Sequence, residues 1–76
     1  MVGRLIFNGS NMKVYLLEEI TCEGSEMLGA YAHESDAVVA ALKTPNGGRP
    51  WKLLSKNFWD GGWSIYIKVS EMEVQG

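Results

Sequence analysis

Apolar and polar residues alternate through Trp63–Val69, WSIYIKV, with Trp63, Ile65, Ile67 and Val69 on one side and Ser64, Tyr66 and Lys68 on the other. A period of two sustained this long predicts a strand with one buried face. It places Trp63 in the core beside Ile65 and Ile67. The following EMEV extends the strand, with a shift of phase at Ser70 and Glu71 of the kind a bulge produces.

Met12–Ile20, MKVYLLEEI, is a second strand, rich in β-branched and aromatic residues. Val14, Leu16 and Ile20 fall on one side, and Lys13, Tyr15, Leu17 and Glu19 on the other. Apolar groups on both sides predict a central strand. TCEGSE supplies a turn through Gly24 and Ser25, and Met27–Ala32, MLGAYA, returns antiparallel. In HESDAVVAALKT the period changes: Ala37, Val38, Ala41 and Leu42 recur at helical spacing. Glu34 and Asp36 lie where a helix N-terminus favours acids, Lys43 lies in the last turn, and TPNGG stops the helix. Its small residues Ala37, Ala40 and Ala41 allow close approach to a sheet.

Pro45–Pro50, PNGGRP, reads as a flexible loop. In WKLLSKNFW, Trp51, Leu54 and Phe58 have the i, i+3, i+7 spacing of a short helical turn, with Leu54 and Phe58 over the open end of the core. DGG reads as a turn. The expected fold is α+β: a small two-layer sandwich, with a three- or four-stranded antiparallel sheet in β-β-α-β order and one helix across one face. Residues 12–76 form the domain. Residues 1–11 form a leader with two readings, a hairpin through Asn8-Gly9 or a loose tail ahead of an alternative start at Met12.

Seventy-six residues suffice for one domain. A chain this short buries only about 60% of its unfolded surface, so each large apolar residue matters. Net charge is −2, which gives no general attraction to nucleic acid or anionic lipid. The charges are unevenly placed. Glu18, Glu19, Glu23, Glu26, Glu34 and Asp36 form an acidic arc without a base, whereas Lys43, Arg49, Lys52, Lys56 and Lys68 are interrupted only by Asp60. Neither a signal-peptide core nor a membrane span is expected, and the lone Cys22 suits a reducing cytosol. The expectation is a soluble, cytoplasmic protein.

The chemistry available is sparse. His33 stands at the expected helix start, as a capping or surface residue. Cys22 stands among Glu19 and Glu23, which disfavour its thiolate. Two such groups are too few for a metal site, and NGG and DGG lack the context of a phosphate loop. No catalytic residue, metal or cofactor is expected, and the protein is read as a non-enzyme.

MKVYLLEE followed by EMLGAYAHESDAVVAALK resembles a group of short uncharacterised bacterial and phage proteins. These have a Met-Lys-Val-Tyr strand, a strand ending near Gly-x-Tyr, and a short Ala-rich helix. The likeness covers Met12 to about Lys43, and the chain departs from it in its leader and Trp-rich loop. The resemblance implies a small accessory protein of a bacterium or phage, in the host cytoplasm if phage-encoded.

Trp51 and Trp59 lie near Arg49, Lys52 and Lys56. Each tryptophan can bury about 150–250 Å2, and exposing one forgoes several kcal/mol at about 25 cal/mol per Å2. Trp51, Trp59, Arg49, Lys52, Lys56 and Tyr66 are therefore the expected binding residues. The first reading is a non-catalytic interaction protein that modulates or inhibits a bacterial host protein, such as a nuclease of an immune system (an anti-CRISPR or anti-defence role). In this reading the aromatic surface makes the contact, and the acidic arc is a mild phosphate mimic. The alternative is single-stranded nucleic acid or a nucleotide stacked on tryptophan, with lysines on phosphate. A homodimer through a strand edge or the tryptophans suits either reading.

Overall fold

A computed structural model describes residues 11–75. The leader readings for residues 1–10 lie outside the described residues. The elements are β1 (Asn11–Thr21), β2 (Gly24–Tyr31), α1 (Glu34–Lys43), β3 (Lys52–Ser55), β4 (Phe58–Gly62) and β5 (Ile65–Gln75). The strands form one sheet in the order β2-β1-β5-β4-β3, each pair antiparallel. Among the described residues the fold is α+β with one helix, as expected, but the sheet has five strands in β-β-α-β-β-β order rather than three or four in β-β-α-β order. No helix among the described residues is long and apolar enough to cross a membrane.

β1 is central, between β2 and β5. Its two apolar sides have different fates. Cross-strand partners share a face, so the pairs Leu17↔Val69, Tyr15↔Tyr31 and Ile67↔Trp59 define the side under the helix. There Leu17, Ile67, Val69 and Trp59 are buried with Ala37 and Ala41 of α1. Both alanines are fully excluded from solvent, because side chains this small let the helix backbone settle onto the sheet. Val14, Leu16 and Ile20 occupy the opposite face, which no helix covers among the described residues.

The helix ends follow local chemistry. His33 is extended at the N-cap, and its carbonyl accepts from Asp36 N at 3.1 Å and Ala37 N at 3.2 Å; its imidazole makes no capping bond. At the other end Pro45 disfavours the helical conformation for the residue before it. Thr44 is accordingly extended, with φ −64° and ψ 129°, and its hydroxyl donates to Ala40 O at 3.0 Å.

Four local expectations are corrected. Residues 52–62 form a hairpin, β3–β4, not a helical turn. A single helical turn forms one hydrogen bond for several fixed residues, whereas extended β4 pairs with both β5 and β3. The Lys56-Asn57 turn is set by Asn57, a residue that tolerates its φ of 59°. DGG belongs to β4, and the turn falls instead at Trp63-Ser64. Ser70 and Glu71 bring no shift of phase: β5 stays in register with β1 from Tyr66 to Gln75, which keeps Met72 and Val74 on the face of Val14 and Leu16. Finally, Leu54 is exposed, and Phe58 stacks on Tyr66 with ring centroids 5.6 Å apart, on the face away from the helix.

The molecule is elongated for its mass, with extents of 46 × 24 × 18 Å. β2 pairs with β1 only from Tyr15 onward, and β4 pairs with β5 only as far as Lys68. Beyond them, among the described residues, the Asn11–Val14 and Met72–Gln75 segments pair only with one another, as a two-stranded arm.

Candidate interaction surface

The end of the sheet opposite the arm is organised around Gly61. A register irregularity between Asp60 and Gly62 leaves Gly61 without a cross-strand partner, so its carbonyl needs another donor. Two side chains from the 44–51 loop provide one each. Asn46 Nδ2 donates at 2.7 Å and Arg49 Nε at 3.0 Å. Arg49 Nη2 also donates to Asn46 Oδ1 at 3.0 Å, and Asn46 Nδ2 reaches Arg49 O at 3.3 Å. Trp51 closes the group, with its indole Nε1 donating to Thr44 O at 2.9 Å. The expected flexible loop is thus tied to β4 through a buried Asn46.

Asn46→Ala removes the shorter of the two bonds to Gly61 O and leaves the part-buried Arg49 Nη2 without its acceptor. It should destabilise the chain by about 1–3 kcal/mol, read as a lowered urea midpoint with an unchanged slope. A loss under a few tenths of a kcal/mol would mean that the loop is not held this way.

Arg49 carries the network outward. Its guanidinium carbon lies 4.8 Å from the ring centroid of Trp63, within the range of a cation–π contact. Trp63 is 84% exposed. It and Ser64 form a two-residue connection between β4 and β5, with φ of 59° and 61°. Positive φ at both central residues marks a type I′ turn, a geometry that favours Asn and Gly. A bulky residue there is an outlier, and such positions cost of order 1–3 kcal/mol.

The expected tryptophan assignments are therefore exchanged. Trp63, expected in the core, is on the surface. Trp59, expected to bind, is 6% exposed and packs opposite Ile67. Trp51 is half-buried and braces the loop, while Arg49 joins loop, strand and turn. Lys52 is exposed on edge strand β3 opposite Asp60, Lys56 is in the β3–β4 turn at the other end of β4 from Trp63, and Tyr66 is half-buried beneath Phe58. The structure gathers Arg49, Trp51 and Trp63, and it does not bring Lys56 or Tyr66 to them. The alternation through WSIYIKV fits equally well when it starts at Ile65, which was the one local signal that Trp63 could belong to a turn.

The acidic arc is divided too. Glu18 faces the open side, 3.9 Å from Lys68, whereas Glu19 and Glu26 pair on the helix-bearing side and Glu34 accepts from Asn57 Nδ2 at 2.7 Å. Cys22 and His33 are exposed in different connections. Among the described residues, no group of three or more His, Cys, Asp or Glu is placed to hold a metal ion.

No family model, curated protein or solved structure matches this chain. The functional reading accordingly rests on the geometry of the Trp63 turn.

Proposed function

We propose that this chain is a non-catalytic interaction protein that presents Trp63 to a pocket on a partner protein. The observation that carries the proposal is the 84% exposure of Trp63 on a turn whose backbone disfavours it. In a chain of 76 residues, where apolar burial is scarce, this tryptophan contributes little to the core. Tryptophan and arginine are the residue types most enriched at binding hot spots. The bracing of Trp63 by Arg49, itself bonded to Gly61 O and Asn46, lowers the ordering cost of binding. The partner implied by the resemblance to small bacterial and phage proteins is a host protein in the cytoplasm, such as a nuclease that this chain would inhibit.

Nucleic acid or a nucleotide is less well served. Of the cations expected on phosphate, Arg49 adjoins Trp63, while Lys52 lies on edge strand β3 opposite Asp60 and Lys56 lies at the far turn.

Trp63→Asn separates binding from folding. Asparagine suits the turn, which offsets the loss of a cation–π contact worth about 0.5–1 kcal/mol. Stability should stay within about 1 kcal/mol of wild type, or rise. A tagged wild-type chain should retain a protein from nuclease-treated bacterial lysate, and the folded variant should lose it. Equal retention by both chains, or recovery of nucleic acid alone from untreated lysate with no protein retained after nuclease, would refute the proposal.

A further inference from the structure

We infer that Arg49 forms a carboxylate-binding site beside Trp63, so that the partner pocket proposed for Trp63 is rimmed by an Asp or Glu side chain. The inference rests on the reading of Trp63 as a docking residue and adds the chemistry of its partner.

Arg49 is half-buried and charged, yet the chain gives it no acid. All nine Asp and Glu residues lie among the described residues, and the ion pairs formed there are Lys13–Glu71 and Lys68–Glu18. Asp60, beside Gly61 in β4, accepts instead from Gly62 N at 2.7 Å. Arg49 thus has only neutral acceptors, whereas its strongest hydrogen bonds would be to an anion.

The guanidinium carries five N–H donors in a planar fork. One edge is committed to the fold: Nε donates to Gly61 O and Nη2 to Asn46 Oδ1, both at 3.0 Å. These two bonds fix the plane of the group. The other edge, Nη1 with the second N–H of Nη2, has no acceptor among the described residues. Since no buried side-chain nitrogen or oxygen there lacks a partner, Nη1 reaches solvent. Gly47 helps to keep this edge open, because a Cβ at that position would stand 3.2 Å from Nη1. Two parallel N–H groups on a rigid edge have the geometry that holds a carboxylate bidentately.

The surroundings select a carboxylate over a phosphate. One guanidinium balances one carboxylate. A phosphate monoester carries about −1.5 to −2, and a nucleic-acid strand repeats its charge along the backbone, so either calls for further cations. Lys52 lies opposite Asp60 on edge strand β3, and Lys56 lies at the far turn. The guanidinium carbon is 4.8 Å from the Trp63 ring centroid, so an acid on the open edge adjoins an exposed indole. A pocket that takes the indole and bears an acid at its rim meets both groups at once, and the charge pair adds specificity.

The test uses phenylacetate at pH 7, with phenylacetamide as its neutral counterpart and inorganic phosphate as the competing anion. Binding to the full chain is followed by NMR at the Trp63 indole and Arg49 guanidinium resonances. Phenylacetate should half-saturate both at a concentration about tenfold below that of phenylacetamide and below that of phosphate. Gly62→Asp should abolish this preference and Gly62→Asn should keep it. A Cβ at Gly62 would stand 3.4 Å from Arg49 Nε, so the aspartate supplies the missing acid, and its φ of 86° is best tolerated by Asn and Asp among other residues. Equal response to acid and amide, tighter binding of phosphate, or equal behaviour of the two variants would overturn the inference and leave the docking reading of Trp63 standing. Should the Gly62 variants fail to fold, Ser64→Asp and Ser64→Asn replace them under the same criteria, at a turn position that suits both residues. A lysate from which Trp63 retains no protein would overturn the docking reading, and with it the partner's acid, whatever the phenylacetate result.

Discussion

Trp59→Ala should cost about 3–5 kcal/mol, while the Trp63→Ala change four residues later should cost less than about 1 kcal/mol. Trp59 lies across from Ile67 and Leu53, at the point where β4 passes under the core. It is 6% exposed, and Ile67 beside it is fully buried. Alanine leaves a cavity that the remaining core cannot fill, since its helix contributes only Ala37 and Ala41 at the buried positions. A chain of this length has a total stability of roughly 4–11 kcal/mol at about 0.05–0.15 kcal/mol per residue. One substitution therefore removes a large share of it, and a marginal protein would be unfolded at 25 °C. Trp63, by contrast, has few protein contacts to lose apart from Arg49. Paired urea titrations followed by circular dichroism read both numbers. Equal losses at the two positions would mean that the core has been misplaced.

Gly61→Ala should destabilise the chain by about 3 kcal/mol, the upper end of ordinary overpacking. A Cβ at Gly61 would stand 2.5 Å from Trp51 Cζ3 and 2.6 Å from Asn46 Nδ2. Neither neighbour is free to swing away, because the Trp51 indole is bonded to Thr44 O and the Asn46 amide to Gly61 O. The backbone at Gly61 does not have positive φ, unlike Gly24 or Gly62, so the cost is steric. At about 4–8 °C per kcal/mol for a domain of this size, the midpoint should fall by roughly 12–24 °C. Combining Gly61→Ala with Asn46→Ala removes one of the two obstructing groups. The pair should therefore cost less than the sum of the single changes, as expected for residues in contact. Strict additivity in the thermal midpoints would refute the proposed crowding.

The two predictions bear on function through one structural element. Trp59 fixes β4 against β5, and Gly61 lets Asn46, Arg49 and Trp51 close over the end of that strand. Arg49 is thereby positioned beneath Trp63. Weakening Gly61 should loosen the turn as well as the fold, whereas Trp63→Asn should alter the surface alone.

Local pattern along the chain is enough for β1, α1, the body of β5 and β2 from Met27 onward, whereas Gly24 and Ser25, expected as a turn, pair with Thr21 and Ile20 as the start of β2. Each of the legible elements carries a sustained period, or an end signal such as Glu34 and Asp36 in the first turn of the helix and Pro45 after it, and these depend on neighbours within a few residues. Central β1 was legible for the same reason, from Leu16 and Leu17 pointing to opposite sides. The remaining elements were settled by contacts between segments distant in the chain. Residues 51–58 match a helical spacing and an extended one equally, and the choice fell to the free edge of β5, which needed partners. Which of Trp59 and Trp63 lies inside depends on the register irregularity at Asp60–Gly62. That irregularity is held by Asn46 and Arg49, remote in sequence from Gly61. A period read along the chain contains no information about a hydrogen bond of that separation, so the core tryptophan and the exposed one were interchangeable until the strands were paired.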